Sequence, residues 1–232
     1  MNFLQTLKPS LSGDGDLFPC RTANRLVWLP WMRNMKKAVY ILLTVLLIYL
    51  FTQINKPVSL GPGTFAPNPP NQVNIKNAGG FEFKNCTVIP LADFDIQAKV
   101  LSKYNYDTDR VAKVSPVDLA LGWGRMSDEQ ILDSFKIRQG NRTFSWWTKE
   151  LPIPRREIEC SCANMHLIPA DKEVKASIDK CRKGEIVKFS GYLVRVESKD
   201  GWKWQSSLTR EDTRGYSCEV VFVKKFEIVM TK

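Results

Sequence analysis

From Ala38 to Phe51 the chain is apolar on every helical face, interrupted only by Thr44. Nowhere else does it stay apolar for so long. Beyond residue 80 the pattern changes to alternation. "FDIQAKVL" sets Phe94, Ile96, Ala98 and Val100 against Asp95, Gln97 and Lys99, the period of a half-buried strand. "FEFKNCTVI" before it reads as a second strand. Ser115-Pro116-Val117-Asp118 reads as a helix start, with Ser115 as cap and Pro116 in first position, and Gly122 and Gly124 keep that helix short. Ser127 with Gln130 repeats the capping logic ahead of Ile131, Leu132 and Phe135. A further helix is expected over 171–182, with Val174, Ile178 and Cys181 inward. In "EIVKFSGYLVRVE" the apolar parity switches at Ser190-Gly191, which predicts a bulge there. Asp200-Gly201 is a hairpin turn, "WKWQSSL" a returning strand and "YSCEVVFVKKFEIVM" a closing one. The expected fold is α+β: an N-terminal transmembrane helix, then a strand-rich, curved antiparallel sheet with two or three short helices.

The apolar run from Ala38 to Ile54 rises ~25 Å as a helix, slightly under a ~30 Å hydrocarbon core. Arg33, Lys36 and Lys37 precede it and only Lys56 follows closely. The positive-inside bias therefore puts the N-terminus in the cytoplasm and the bulk of the chain outside. No small-residue pair suited to cleavage follows Phe51, so the segment is read as an uncleaved signal anchor. Four segments result. Residues 1–31, broken by Pro9, Pro19 and Pro30, form a disordered tail or precede a true start at Met32 or Met35. Residues 32–54 are the basic flank and anchor. Residues 55–80, with five prolines, are an extended spacer. Residues 81–232 form one extracytoplasmic domain, long enough for a core of its own.

Charge adds a limit. Lys and Arg number 34 against 24 Asp and Glu, for a net +10. The excess is spread without a long basic run, so no nucleic-acid groove is expected. The sequence holds no P-loop, dinucleotide fingerprint, HExxH or EF-hand loop, and no cofactor is expected.

Candidate chemistry gathers at two places. "CSCANMH" sets Cys160, Cys162 and His166 on one face of a strand, and Cys181 would complete a zinc-type Cys3His set. Against that stand the weak spacing and an oxidising compartment, in which one or two structural disulfides, with Cys181 a partner, are the blander reading. His166 is the only histidine in the chain. Any imidazole chemistry must use it, as general base with Ser206, Ser207 or a cysteine as nucleophile and Asp212 as third member, although no nucleophile elbow surrounds the serines. The second place is "GWKWQSSLTREDTRGYSCE". Trp202 and Trp204 share a strand face there, and Arg210 and Asp212 follow. Exposed, the indoles would stack on a sugar or cover a peptide; buried, they are core.

The blocks "SPVDLALGWGRMSDEQIL", "LPIPRREIECSCANMHLIPAD", "GYLVRV" and "GWKWQSSLTREDTRGYSCE" resemble segments of an uncharacterised family of bacterial single-pass inner-membrane proteins. The resemblance covers most of 81–232. It implies an inner-membrane location with a periplasmic domain, points to Trp123, His166, Trp202, Arg210 and Asp212, and implies no activity. The reading that follows is a non-enzymatic, membrane-anchored binding or accessory domain for an envelope protein or glycan, with Trp123, Trp202, Trp204, Arg210 and Asp212 as binding residues. The alternative is an envelope hydrolase built on His166.

Overall fold

The apolar run and its basic flank form a single helix, α1 (Trp28–Ile54), in the computed structural model, which describes residues 28–54, 56–209, 211 and 218–231. Arg33–Gln53 within α1 is long and apolar enough to cross a membrane. Thr44 and Thr52 donate their hydroxyls to the carbonyls of Tyr40 and Tyr49, which satisfies them without water. Helix begins at Trp28, so residues 28–31, expected in a disordered tail, are helical. Pro30 sits in the first turn, where the missing N–H has no partner to lose. Residues 1–27 of the tail lie outside the described residues, and the alternative starts Met32 and Met35 both fall within α1. The chain divides into two compact units between Thr52 and Gln53.

Among the described residues the second unit contains ten strands: β1 (Asn71–Asn74), β2 (Phe81–Phe83), β3 (Cys86–Asn105), β4 (Val117–Gly122), β5 (Phe135–Gly140), β6 (Thr143–Thr148), β7 (Cys162–Pro169), β8 (Ile186–Ser198), β9 (Lys203–Gln205) and β10 (Glu219–Met230). Three short helices join them: α2 (Glu129–Leu132), α3 (Arg155–Cys160) and α4 (Lys172–Lys180). The fold is α+β and mostly antiparallel.

Five strands close on themselves. The long β3 pairs β8 along its first part and β4 along its last. β4 pairs β7, β7 pairs β10 in parallel, and β10 pairs β8. Taken in chain order, the barrel runs first-second-third-fifth-fourth and back to the first, with α4 between third and fourth. That is the connectivity of the OB-fold, a five-stranded Greek-key barrel. Its interior is filled by Phe94, Ile96, Leu119, Leu121, Met165, Leu167, Phe189 and Val221. α4 packs against this interior through Val174, Ile178 and Cys181. Asp171 caps it by accepting from Val174 N at 2.8 Å, and Lys103 Nζ donates to the carbonyls of Ile178, Asp179 and Cys181 at its C-terminal end.

Three sequence expectations need correction. Val117–Gly122 is a strand, not a short helix, and every residue in it is buried. Alternate side chains of "VDLALG" face the barrel interior and an outer layer, and burial of both faces outweighs the Ser-Pro cap signal. Ser127 is not the cap of α2: Asp128 accepts from Gln130 N, and Phe135 already belongs to β5. The bulge lies across from Gly191, not at it. Register slips between Val223 and Lys225 on β10, leaving Lys224 as the extra residue. Gly191 is needed for close approach, since a Cβ there would stand 1.9 Å from the Phe222 carbonyl oxygen. The parity switch in β8 marks its passage from the barrel interior to a second apolar cluster holding Val88, Val194, Val196 and Phe222.

Residues 58–74 are not a free spacer. Val58 N donates to Lys183 O at 2.8 Å. Glu129 then gathers Ser59 Oγ, Leu60 N and Gly61 N, while Asp128 takes Gly63 N. Ala66 is bonded to Ser127 Oγ and Gly124 N, and β1 joins the edge of β3. Prolines keep this strap extended, but loop carboxylates and a sheet edge use the backbone donors that a solvated linker would leave to water.

Candidate functional site

β4 and β7 run side by side with Asp118 directly across from His166. Both point to the outer side of the barrel, because their neighbours Leu119, Met165 and Leu167 point in. Asp118 has 0% side-chain exposure and His166 3%. A carboxylate this deep requires a cation. Arg142 supplies it: Nη1 donates to Asp118 Oδ1 at 2.8 Å, while Nε and Nη2 grip both oxygens of Asp109 at 3.0 and 2.9 Å. The guanidinium lies over the Tyr106 ring at 3.6 Å, and the Tyr106 hydroxyl accepts from Arg142 N.

Arg142 reaches this place from the tip of the β5–β6 hairpin. Asn141 and Arg142 both adopt positive φ, 50° and 60°, as a two-residue turn of the hairpin class requires. For arginine this backbone is strained, and the ion pairs hold it there. The tip is tied to β7 by Gln139 Nε2 donating to Asn164 Oδ1 and Asn164 Nδ2 donating to Arg142 O.

The electrostatics follow the geometry. Arg142's hydrogen bonds hold the Asp109 carboxyl below its usual range against the opposing effect of burial. Burial pushes the Tyr106 phenol up to about 12, and the nearby Asp118 charge adds to that. His166 Nδ1 stands 2.9 Å from Asp118 Oδ1, at ion-pair distance but without hydrogen-bond geometry. Asp118 Oδ2 is buried and accepts no hydrogen bond of ordinary geometry, although the Tyr106 phenol lies close enough to Asp118 for a side-chain hydrogen bond to help raise the phenol's pKa.

The indoles complete the site. Trp204 lies 4.8 Å from the His166 ring and 6.0 Å from Trp202, all centroid to centroid. Both indoles are half-buried. Arg110 covers Trp202 at 5.3 Å and pairs with Asp200, and each of these two charged side chains is more than half exposed.

Other candidates are placed differently. Trp123 is buried in the barrel core and offers no ligand surface. Arg210 and Asp212 lie outside the described residues. Ser206 Oγ donates to Ser207 O and accepts from Val220 N, which splices the loop before β10 to β8 and β10; Ser207 Oγ donates to Thr209 O. Neither hydroxyl is brought to His166, whose partner is an aspartate on the neighbouring strand. The cysteines are not gathered either. Cys181 belongs to the barrel interior, Cys162 to a separate cluster under the β5–β6 hairpin, and His166 to the Asp118 pair. Among the described residues no His, Cys, Asp and Glu group forms a metal site. Cys86, Cys160, Cys162 and Cys181 are all unbridged, so the expected disulfide with Cys181 as a partner does not form.

Sequence reading passed over Asp118, Arg142, Asp109 and Tyr106. One signal was there: Asp118 is the lone charge in the apolar run "VDLALGW", and a charge in a buried strand demands a partner. Nothing local marks Arg142 as that partner.

No family model, curated protein or solved structure matches the chain.

Proposed function

We propose that the chain is a membrane-anchored binding domain of the bacterial inner membrane, with its barrel in the periplasm and its ligand face on the outer side of β4 and β7. The observation that carries the reading is Asp118 Oδ2, which accepts no hydrogen bond of ordinary geometry and is buried where Arg142, His166 and the Trp204–Trp202 pair converge. A buried acceptor of this kind favours a ligand that brings a donor. In barrels of this connectivity the face of the second and third strands, with the first–second and fourth–fifth loops, takes oligonucleotides or oligosaccharides. That is fold-level analogy, and the local chemistry has to choose.

Charge chooses the sugar. Arg142 is held by Asp109 and Asp118, and Arg110 by Asp200, so these cations are already neutralised by carboxylates. A phosphate backbone wants a row of uncommitted cations. Two adjacent indoles offer instead a stacking surface for a pyranose ring, and the exposed Arg110 can swing aside to release Trp202. The basic flank before α1 supports the outward orientation of the barrel.

The test is tryptophan fluorescence of the full chain in detergent, titrated with soluble peptidoglycan fragments and separately with a single-stranded oligonucleotide. A saturable change with the glycan, lost in Trp202→Ala with its melting temperature retained, is the expected result. Saturation by the oligonucleotide alone, or by neither probe, overturns the reading.

A further inference from the structure

The end of α1 and the first fixed point of the barrel unit are separated by three residues, 55–57. Helix ends at Ile54, and Val58 is hydrogen-bonded to Lys183 and packed under Gly184, where a Cβ would stand 1.8 Å from the Val58 carbonyl oxygen. Four peptide steps reach at most about 14 Å. The constraint is covalent. It keeps the Val58–Lys183 corner within the headgroup layer or just above it, close to a screening length of ~8–10 Å.

The chemistry of that corner suits such a surface. Pro57, Lys103, Lys180, Arg182, Lys183 and Thr231 line an open groove of about 970 Å³. Its acids are already committed: Glu185 is buried against Arg182 and accepts from Thr231, and Asp179 pairs with Lys175. Lys103 is spent on the end of α4. Lys180 and Lys183 are exposed, as is Lys56 in the tether. Val229 and Met230 at the end of β10 are large apolar side chains left at 42% and 38% exposure, and Met230 pairs with Ile186 beside the groove. Exposed lysines beside exposed aliphatic side chains are the composition of a surface that lies on an anionic bilayer.

We infer that this corner is a lipid-docking surface: Lys180 and Lys183 engage anionic phospholipid headgroups of the bilayer that α1 spans, and Val229 and Met230 enter its interface. This inference is independent of the glycan reading, which concerns β4, β7 and the indole loop.

Hydrogen exchange of the full chain in nanodiscs tests it, read over 179–186 and 226–231. Discs of phosphatidylcholine are compared with discs containing phosphatidylglycerol. Each lysine near an anionic surface adds about fivefold to its occupancy, so two predict exchange slowed by about thirtyfold in the anionic discs. The slowing should vanish in Lys180→Glu/Lys183→Glu, with the thermal unfolding of the variant unchanged, and in the unaltered chain at high salt. Equal exchange in both lipids overturns the inference. So does equal slowing by inorganic phosphate added to phosphatidylcholine discs, which would mean an anion pocket and not a membrane surface.

Discussion

Arg142 shows how much one side chain can decide. It closes a turn in a backbone conformation unfavourable to it, neutralises two aspartates and fixes the hairpin tip to β7. Removing it would leave the fully buried Asp118 carboxyl without its cation. Arg142→Ala should cost about 3–5 kcal/mol, the range for a buried pair broken on one side. Arg142→Lys should recover little of it, because an ammonium cannot fork two carboxylates. Urea unfolding in detergent measures both; a loss under ~1 kcal/mol for the alanine variant would show Asp118 to be satisfied without it. The same reasoning changes what His166 is for. Almost without exposure and pressed between Asp118 and Trp204, it is a poor choice for a surface-binding mutation. Trp202 is the better probe.

At the scale of elements, the strap before β1 is the least expected feature. Lys99, with 2% exposure, sits on β3 and donates to Glu129 at 2.8 Å, and Glu129 in turn collects Ser59, Leu60 and Gly61. Burial alone would raise the Glu129 carboxyl, but these hydrogen bonds outweigh it and hold it at about 2 against an ordinary 4.5. A depressed carboxylate contributes stability above its unfolded value. That contribution is complete above pH 4.5 and is lost as pH falls through about 2. Its size is roughly 3 kcal/mol at neutral pH. Glu129→Gln should therefore release residues 58–66 to limited proteolysis at pH 7 and flatten the acid limb of the stability curve between those values. Cleavage no faster than in the parent chain would show that Ala66 and β1 hold the strap by themselves.

For the whole molecule, the buried cysteines Cys86, Cys162 and Cys181 are unbridged, and the proposed orientation would put them in an oxidising compartment. Burial reconciles the two. It pushes the Cys162 thiol up to about 12 and Cys181 to about 11, and raises Cys86 as well, so the thiolate that begins disulfide exchange is scarce at all three. In the folded chain an aromatic disulfide reagent should leave Cys86, Cys162 and Cys181 unlabelled for hours and label them within minutes in denaturant. Rapid native labelling of Cys162 or Cys181 would contradict their burial. A compartment-sensitive reporter fused after Lys232 reads the orientation directly.

Sequence alone determined the features that depend on neighbours along the chain. One apolar helix, a hairpin at Asp200-Gly201, a capped helix from Asp171 and a curved, strand-rich α+β domain all follow from local period and turn chemistry. Tertiary structure decided whatever depends on what lies across the barrel. Val117–Gly122 is a strand because β3 and β7 flank it, and the proline-rich stretch is a strap because Glu129 waits for it. Trp123 is core while Trp202 is rim, a difference no composition reveals. The site itself joins Asp109, Asp118, Arg142 and His166 from four separate segments. A buried charge can announce in sequence that it needs a partner; only the closed barrel, by fixing which strands adjoin, can say which one it gets.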